Sequence, residues 1–359
     1  MGELGAITTG NTPSTSVSEY YSDDGMIWVT PTDISNNITY ETEKKLSKLG
    51  QQVGRVVPKN TILVTCIASI GKNTMLGKSG SFNQQINGLT PNEIKYEPYF
   101  LFTESTLWSA QMKKSAAAGT MQIVNRTEFS ELKTWITTYE EQKKIGAYFA
   151  NLDRLITLHQ QKITLLTKLK KAMLEKMFPK KGSVIPEIRF NGFANAWEQR
   201  KLRDIVDVCS GRDYKHLSEG DIPVYGTGGY MLSVSEALSY DKDAIGIGRK
   251  GTIDKPYILN APFWTVDTLF YAIPREKIDL NFAFDIFQNI DWKKKDESTG
   301  VPSLSKTAIN EINVLVPQYD EQQALGEFFN GIDHLITLHQ RKLDMLKKLK
   351  SACLSEMFI

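Results

Sequence analysis

Few side chains in this chain have types and spacings that could do chemistry. Asp33 with Glu43-Lys44-Lys45 is a loose version of the carboxylate–carboxylate–lysine arrangement of metal-dependent nucleases. That spacing is common by chance in polar loops, so a nuclease is the weaker interpretation. Gly5–Thr12 approaches a P-loop, but Asn11 stands where a lysine must reach the phosphates. The sequence contains no Asn/Asp-Pro-Pro-Tyr/Phe motif of adenine methyltransferases. We therefore predict no catalytic residues and a non-catalytic protein.

Metal and disulfide chemistry are also disfavoured. Cys66, Cys209 and Cys353 are scattered without CxxC spacing, which argues against a disulfide framework and against a zinc site. His159 and His339 occupy the same point of a repeated segment described below. They could be ligands or proton carriers, but a polar residue that sets the register of a coiled-coil seam is the favoured interpretation. We predict no metal site.

Composition indicates an ordinary globular protein. The 359 residues are 41% hydrophobic and 23% charged, and this length predicts about two domains. A net charge of +2 means that any binding of nucleic acid must depend on local basic patches. The chain shows no signal-peptide pattern and no apolar run near the ~20 residues that span a bilayer. We expect a cytoplasmic protein that does not contact a membrane.

One long segment occurs twice. The sequence Leu-Ile-Thr-Leu-His-Gln at residues 155–160 returns at residues 335–340, which is 180 positions later. An ungapped alignment of Tyr139–Phe178 with Tyr319–Phe358 gives 21 identities in 40 positions. Solenoid repeats have periods of only ~20–50 residues, so this repeat indicates duplication of a whole domain-sized unit.

Each copy of the segment is predicted to be one long helix. Apolar residues recur at three- and four-residue spacing, as on one face of a helix. Roughly 38 residues at ~1.5 Å each would give a rod of about 57 Å, which cannot bury its apolar stripe inside one small domain. An intramolecular coiled coil of the two copies is therefore favoured over self-association. The predicted seam residues are Leu152, Leu155, Ile156, His159, Ile163 and Leu166 in the first copy, and Ile332, Leu335, Ile336, His339, Leu343 and Leu346 in the second.

The remaining sequence divides into two mixed α/β domains, because short β-rich runs alternate with turn-rich pieces. The two domains share less sequence. At the 180-residue offset, Ile247 and Gly251 fall on Ile67 and Gly71, and Leu269 falls on Leu89. We predict a first domain at residues 1–137, a central long helix at 138–179, a linker with a lead-in segment at 180–201, a second domain at 202–317 and a distal long helix at 318–359.

These features together resemble the specificity subunits of type I restriction–modification systems. The order domain, long helix, domain, long helix is the first point of resemblance. The motifs are Tyr139-Glu140-Glu141-Gln142 with its copy Tyr319-Asp320-Glu321-Gln322, Trp197-Glu198-Gln199-Arg200-Lys201-Leu202, Asn83-Gln84-Gln85-Ile86-Asn87, Tyr225-Gly226-Thr227-Gly228-Gly229 and Gly248-Arg249-Lys250-Gly251. One departure is that no counterpart of Phe190–Lys201 precedes the first domain, because Met1 aligns with Leu202. We therefore expect the sequence to begin inside the first domain.

The resemblance implies two α/β (α+β) target-recognition domains, joined by two long helices in an antiparallel intramolecular coiled coil with a pseudo-two-fold internal repeat. It implies recognition of a bipartite, asymmetric site in double-stranded DNA, with two half-sites separated by a fixed spacer. Two modification subunits would bind this scaffold and supply adenine N6-methylation, and in some systems two restriction subunits would join them. S-adenosylmethionine, ATP and Mg²⁺ would belong to those partners, so this chain would carry no cofactor.

The same resemblance directs attention to polar residues in the two domains. Amide side chains can make bidentate contacts to adenine, whereas Arg and Lys suit guanine O6 and N7 or phosphates. A glycine-rich loop lets backbone approach the duplex closely. Tight turns explain the glycines equally well, and a polar strand edge explains the glutamines. The predicted DNA contacts are Lys72, Asn83, Gln84, Gln85 and Asn87 in the first domain, and Tyr225, Thr227, Gly228, Gly229, Arg249, Lys250 and Thr252 in the second.

A second hypothesis is a coiled-coil scaffold whose two domains bind protein rather than DNA. The nearly neutral net charge permits it.

Overall fold

The computed structural model describes residues 1–116, 123–296 and 298–358. They form two compact units, Met1–His159 with Lys342–Ile359, and Gln160–Arg341. Each unit therefore combines one of the predicted domains, called a head below, with one part of each long helix. None of the helices in the described ranges combines the length and apolar character that crossing a bilayer requires.

The described residues of the first head form two sheets and three α-helices. Its larger sheet has the strand order β1-β8-β5-β6-β3, and its smaller sheet has the order β4-β2-β7. The strands are β1 Gly5–Thr9, β2 Tyr21–Val29, β3 Ile38–Thr39, β4 Lys45–Leu46, β5 Ile62–Thr65, β6 Asn73–Leu76, β7 Ser81–Phe82 and β8 Ile86–Pro91, and the helices are α1 Lys48–Val53, α2 Pro98–Ala116 and α3 Arg126–Glu131.

Strand alternation gives the first head two cores. Side chains on β5 point alternately to opposite faces of the sheet. Ile62 and Val64 therefore join the core beneath α2, which holds the buried Trp108. Leu63 lies on the other face, in a core shared with Phe82 of the smaller sheet. All four β5 residues are buried, which explains why this strand is a continuous apolar run rather than an alternating one.

The second head repeats this plan. Its sheets have the strand orders β10-β16-β13-β14 and β12-β11-β15, and a separate pair joins β17 and β9. The strands are β9 Glu198–Lys201, β10 Val206–Ser210, β11 Glu219–Gly226, β12 Gly229–Val234, β13 Ala244–Gly248, β14 Tyr257–Leu259, β15 Trp264–Thr265, β16 Leu269–Pro274 and β17 Asn313–Val316, and the helices are α5 Leu202–Ile205, α6 Leu280–Asn289 and α7 Lys306–Asn310. The two long helices are α4 Tyr139–Met177 and α8 Tyr319–Met357.

The strand registers correct the equivalence predicted within the heads. Ile62 pairs with Leu89 in the first head, and Ile245 pairs with Ala272 in the second. Ile245 lies 183 positions after Ile62, and Ala272 lies 183 positions after Leu89. The offset between the two heads is therefore 183 residues here, not 180. The predicted matches of Ile247 with Ile67 and of Leu269 with Leu89 were therefore wrong. Loops of different length before these strands shift the alignment by three residues, although the offset is 180 again in the long helices.

Within each unit the two long helices run antiparallel. In the first unit, Phe149 and Leu152 of α4 share a buried cluster with Leu346 of α8. In the second unit, Leu166 of α4 and Ile332 of α8 belong to one core. The buried positions follow the alternating four- and three-residue spacing of a heptad seam. The fold class predicted from the sequence is confirmed.

The predicted position in the seam was wrong for two residues. Leu155 and Leu335 are 37% and 43% exposed, respectively, because each lies one position before the true seam residue. The neighbours Ile156 and Ile336 occupy the seam instead and are half-buried. The other predicted seam residues, His159 and His339 included, are buried or half-buried.

Candidate nucleic-acid interface

Backbone hydrogen bonds fix which loops of the two heads are equivalent. Cys66 N donates to Gln85 O at 2.8 Å in the first head, and Arg249 N donates to Thr268 O at 2.8 Å in the second. Arg249 is thus the counterpart of Cys66. The predicted first-head loop 83–85 likewise corresponds to Val266–Thr268 of the second head. Each of these loops lines a cleft at the same end of the equivalent strands.

The first-head cleft has a volume of about 470 Å³ and includes Asn83 and Gln85. Asn83 is buried and organises the loop, since its Nδ2 donates to Gln85 Oε1 at 3.1 Å. Its Oδ1 accepts from Gln85 N at 3.1 Å. Burial raises the pKa of the Cys66 thiol to about 11, so this group stays protonated and donates to Gln85 O. Gln85, at the cleft wall, is the residue of this loop held most firmly in place.

The other first-head residues have different positions. Gln84 and Lys72 are exposed, and the Gln84 side chain accepts a hydrogen bond from the Thr12 hydroxyl. Lys72 follows Gly71, whose φ of +86° lies in the region that favours glycine. Both side chains are thus accessible to solvent.

Asn87 was wrongly predicted as a DNA contact. It lies on β8 and has no exposed surface. Its Oδ1 accepts from the Thr9 hydroxyl at 2.7 Å, and its Nδ2 donates to Val124 O at 3.2 Å. Both ends of the amide are thus satisfied inside the head, which assigns Asn87 a structural role.

The second-head cleft has a volume of about 680 Å³ and is formed largely by a hairpin. Gly226 pairs with Gly229, so Thr227 and Gly228 are the two turn residues between β11 and β12. Gly229, which follows the turn, has a φ of +105°, in the region that favours glycine. Tyr225 lies at the base of the hairpin, where its ring contacts those of Tyr230 and Tyr257.

A half-buried tyrosine anchors the base of this hairpin. The Tyr257 hydroxyl donates to Gly226 O at 2.6 Å. Burial raises the pKa of Tyr257, so the hydroxyl remains a donor over the accessible pH range. A Cβ on Gly228 would meet nothing within 4 Å, which leaves the turn itself open to a ligand.

None of Arg249, Lys250 and Thr252 lines the second-head cleft itself, but the backbone N–H groups of Arg249 and Lys250 donate to its lining residue Thr268. Arg249 and Lys250 are exposed and Thr252 is half-buried. The Arg249 guanidinium lies 5.7 Å from the centroid of the Phe270 ring, and its Nη1 donates to Asp267 O at 3.4 Å. Asp267 lines the cleft, so Arg249 borders it. The remaining guanidinium donors can contact a phosphate or guanine.

Sequence reasoning missed several residues of the second-head cleft. The exposed Tyr230 and Met231 project from β12, and an exposed aromatic next to a glycine turn was a usable signal. The loops at Asp213–Lys215 and Val266–Thr268 complete the lining. They could be found only from the three-dimensional equivalence of the heads, because their residue types differ from those of the first head.

Each head supports its cleft with a buried tryptophan, but from a different strand. Trp28 Nε1 on β2 donates to Asn11 O at 3.1 Å. In the second head Trp264 Nε1 on β15 donates to Arg212 O at 2.9 Å. Asn11 and Arg212 occupy equivalent positions. Each follows the glycine that comes directly after a strand, β1 in the first head and β10 in the second. Trp264 is buried.

The loops that face the two clefts differ in length between the heads. In the second head β11 and β12 are joined by Thr227 and Gly228 alone. The equivalent first-head strands β2 and β4 are joined by residues 30–44, which include β3. The scaffold strands are thus alike while the recognition loops are not.

The enzyme-like patterns have structural explanations. Asp33 holds its own loop, since its Oδ1 accepts from Glu43 N and its Oδ2 from Thr30 N. In the described part of the chain, no group of three or more His, Cys, Asp or Glu side chains is placed to hold a metal ion. Sequence reasoning missed one further pattern, because Gly246–Gly251 has Gly-x-Gly-x-x-Gly spacing. This segment leads from β13 to β14 instead of into the helix that a dinucleotide site requires.

Comparison with known proteins gives a consistent result. A specificity subunit of type I restriction enzyme MjaVIII from Methanocaldococcus jannaschii is 25% identical over 340 residues, which cover 82% of this chain and 77% of the relative. The HindI specificity subunit from Haemophilus influenzae is 33% identical over 159 residues, covering 42% of this chain and 34% of the relative. A crystal structure of a type I restriction–modification S subunit from M. genitalium matches the fold with a TM-score of 0.77 and 18% identity, covering 100% of this chain and 94% of that one.

The sequence profile described as "Type I restriction modification DNA specificity domain" matches residues 1–168 and again residues 194–348. That description names DNA specificity, which is what the resemblance in the sequence implied. The two matches account for most of the chain, and the chain therefore belongs to the type I restriction modification DNA specificity family.

Proposed function

We propose that this chain is the DNA-recognition subunit of a type I restriction–modification complex and reads a bipartite, asymmetric site. The observation that carries the proposal is the pair of equivalent clefts. Both clefts lie on the same scaffold, but one is lined by Asn83 and Gln85 and the other by Tyr230 and Asp267. Two like-folded heads with different linings are suited to two different half-sites.

The contacts divide by chemistry. Gln84 and Gln85 of the first head present amide groups, which suit adenine edges in the major groove. Arg249 and Lys250 of the second head present cations, which suit guanine or phosphates. Lys72 supplies a cation for a phosphate near the first cleft. Thr227, Gly228 and Gly229 form a narrow turn that can enter a groove.

The long helices would set the spacer and carry the partners. In the first unit they expose Leu155, Leu158, Met345 and Leu349; in the second they expose the equivalent Leu335, Leu338, Leu165 and Leu169. Exposed apolar residues repeated at equivalent positions suit two copies of one partner. We assign them to two modification subunits, one for each set.

The chemistry would reside in those partners. The modification subunits would bind S-adenosylmethionine and methylate adenine N6, and two restriction subunits would supply ATP- and Mg²⁺-dependent cleavage in a complete system. The double-stranded DNA target and these partners place the complex in the cytoplasm.

The test is reconstitution with a cognate modification subunit, followed by mapping of methylated adenines across a genome. We expect one bipartite motif with a constant spacer. Methylation at sites without a spacer would contradict the proposal. If the heads bind protein instead, the complex would show no sequence preference at all.

A further inference from the structure

One four-residue turn has the same backbone hydrogen bond in both heads but different side chains at its centre. It comprises residues 83–86 in the first head and residues 266–269 in the second. In each, the N–H of the last residue donates to the carbonyl oxygen of the first, at 3.2 Å and 2.9 Å respectively. A turn closed in this way presents its two central residues outward. The first central residue is Gln84 in one head and Asp267 in the other.

The flanking hydrogen bonds confirm that Gln84 and Asp267 are equivalent. The N–H of the first turn residue donates to β2 in the first head and to β11 in the second, at 3.0 Å in both. The carbonyl oxygen of the last turn residue accepts from Gly10 in the first head and from Gly211 in the second, again at 3.0 Å. The scaffold therefore holds the two residues at the same place, and the heads differ there in the side chain alone.

Asp267 presents an accessible carboxylate to the second-head cleft. It lines the cleft and is exposed. Within the described ranges of the chain, no side chain or backbone group donates a hydrogen bond to this carboxylate, and no cation pairs with it. The Arg249 guanidinium lies beside the turn, because its Nη1 donates to Asp267 O at 3.4 Å. The cleft thus contains an acceptor without a donor, next to a positive charge.

The chemistry of a carboxylate restricts what it can bind in DNA. It only accepts hydrogen bonds, and the phosphates repel its charge, so a favourable contact requires a donor on a base. In the major groove the donors are the exocyclic amino groups of adenine and cytosine. Adenine places the acceptor N7 beside its amino group, where it would face the second carboxylate oxygen. The major-groove edge of cytosine has no acceptor, so cytosine suits a carboxylate better.

We propose that Asp267 is a specificity-determining residue of the second head and accepts a hydrogen bond from the N4 amino group of a cytosine in the second half-site. This inference rests on the proposed function of the chain. Gln84 occupies the same place in the first head, and its amide can serve both N6 and N7 of adenine. One turn position thereby assigns different bases to the two half-sites. Arg249 offsets the repulsion between the Asp267 carboxylate and the phosphates.

A reciprocal exchange tests the assignment in the complex reconstituted with a cognate modification subunit, with methylated adenines mapped across a genome. Asp267→Gln should change one position of the second half-site from a G·C pair to an A·T pair. Gln84→Asp should make the opposite change at one position of the first half-site. In each variant the other half-site should stay the same, which also shows that the complex is folded.

Asp241→Asn is the matched control for the loss of a carboxylate. Asp241 is exposed like Asp267, but it precedes β13, whereas the cleft lies beyond the other end of that strand. This variant should leave both half-sites unchanged.

A base analogue isolates the amino group. Fluorescence anisotropy compares the cognate duplex with one in which 2-pyrimidinone, which lacks the amino group, replaces the cytosine. The wild-type complex should bind the analogue duplex roughly 5- to 150-fold more weakly. With Asp267→Ala the two duplexes should bind almost equally. The weaker pairing of the analogue with guanine affects both proteins alike, so the difference between them reports the Asp267 contact.

The outcomes separate this inference from the proposed function. An unchanged second half-site in Asp267→Gln, or equal losses on the analogue for wild type and Asp267→Ala, would overturn the inference and leave bipartite recognition intact. Tighter binding of the cognate duplex by Asp267→Ala would also overturn it, because the carboxylate would then only repel DNA. A wild-type complex that methylates without any bipartite motif would contradict the proposed function and this inference with it.

Discussion

Lys350 of α8 donates to the carboxylate of Asp153 of α4 at 2.6 Å, and both side chains are largely shielded from solvent. The second unit contains the same pair with the helices exchanged, because Lys170 of α4 meets Asp333 of α8 at 2.5 Å. Each charge is related to its counterpart by 180 residues. The duplication thus preserved a polar contact that fixes helix register within each unit.

Removal of one partner from this pair should destabilise the first unit. Asp153→Ala leaves the Lys350 ammonium buried without its carboxylate and the Tyr99 hydroxyl without its acceptor. We expect a loss of about 3–5 kcal/mol in the free energy of unfolding, as found for broken buried ion pairs. Urea denaturation measures it. Glu140→Ala breaks the exposed pair with Lys143 and should cost far less, because solvent screens the charges of an exposed pair. Equal losses would contradict the assigned burial.

Asp285 should make stability depend on pH. Burial raises its pKa well above the usual range, opposed by the neighbouring Lys170 and reinforced by Asp333 and Asp279, and its Oδ2 has no hydrogen-bond partner in the described structure. A raised folded-state pKa means that folding opposes ionisation, so the destabilisation is absent below the unfolded pKa of ~4 and grows as pH rises above it.

Asp285→Asn should therefore raise the melting temperature at pH 7.5 and lose this advantage near pH 4. Thermal unfolding across that range measures the effect. Asp291→Asn removes an exposed carboxylate and serves as the control. An advantage for Asp285→Asn that is the same at both pH values would show that packing, not ionisation, is responsible.

Arg249 should contribute to DNA affinity through the second head. Arg249→Ala is expected to weaken binding of the cognate site by about 1–3 kcal/mol, roughly 5- to 150-fold. Fluorescence anisotropy with duplexes altered in one half-site at a time measures it. Arg275→Ala removes another exposed arginine of this head, paired with Asp207, and should have little effect. Similar losses from both variants would indicate general electrostatic attraction instead.

Gln84 and Asn87 should separate recognition from stability. Asn87→Ala leaves the Thr9 hydroxyl and Val124 carbonyl without their partner and should cost about 1–3 kcal/mol of folding free energy. Gln84→Ala should leave stability within ~0.5 kcal/mol and weaken binding of the first half-site. Denaturation and DNA binding, both measured for each variant, distinguish the structural residue from the recognition residue. The reverse pattern would place the recognition surface elsewhere.

An inserted heptad should lengthen the spacer. Seven residues added after His159 of α4 and seven after Arg341 of α8 keep the seam in register, whereas four or five would not. Each insertion adds about 10 Å of helix, which corresponds to roughly three base pairs. The methylated motif should gain that spacer length and keep both half-sites. Altered half-sites would exclude a spacing role for the helices.

The sequence predicted the long helices well because their signal is dense. Many apolar positions in each copy agree on one period, and the predicted ends differ from the observed ones by only one or two residues. The period alone does not resolve adjacent leucines, which is why Leu155 was confused with the seam beside Ile156. Burial against a partner helix decides between such neighbours.

The heads were harder to predict for a specific reason. Asn87 and Gln84 are both polar and lie three residues apart, yet one is satisfied within the sheet and the other is exposed. The partners of Asn87 come from Thr9 and Val124, which are distant in sequence. The second cleft was only partly found because Val266–Thr268 shares its position, but not its residue types, with the first-head loop.

The unequal connections between β2 and β4 and between β11 and β12 have an evolutionary consequence. Closing a flexible loop costs entropy that grows only with the logarithm of its length. Lengthening a two-residue turn to a loop such as 30–44 therefore costs about 2 kcal/mol on that scale. Insertions and deletions at this point are thermodynamically mild, and the strands beneath tolerate them. New target sequences can thus be sampled in one head by changes in loop length, while the other head retains its specificity.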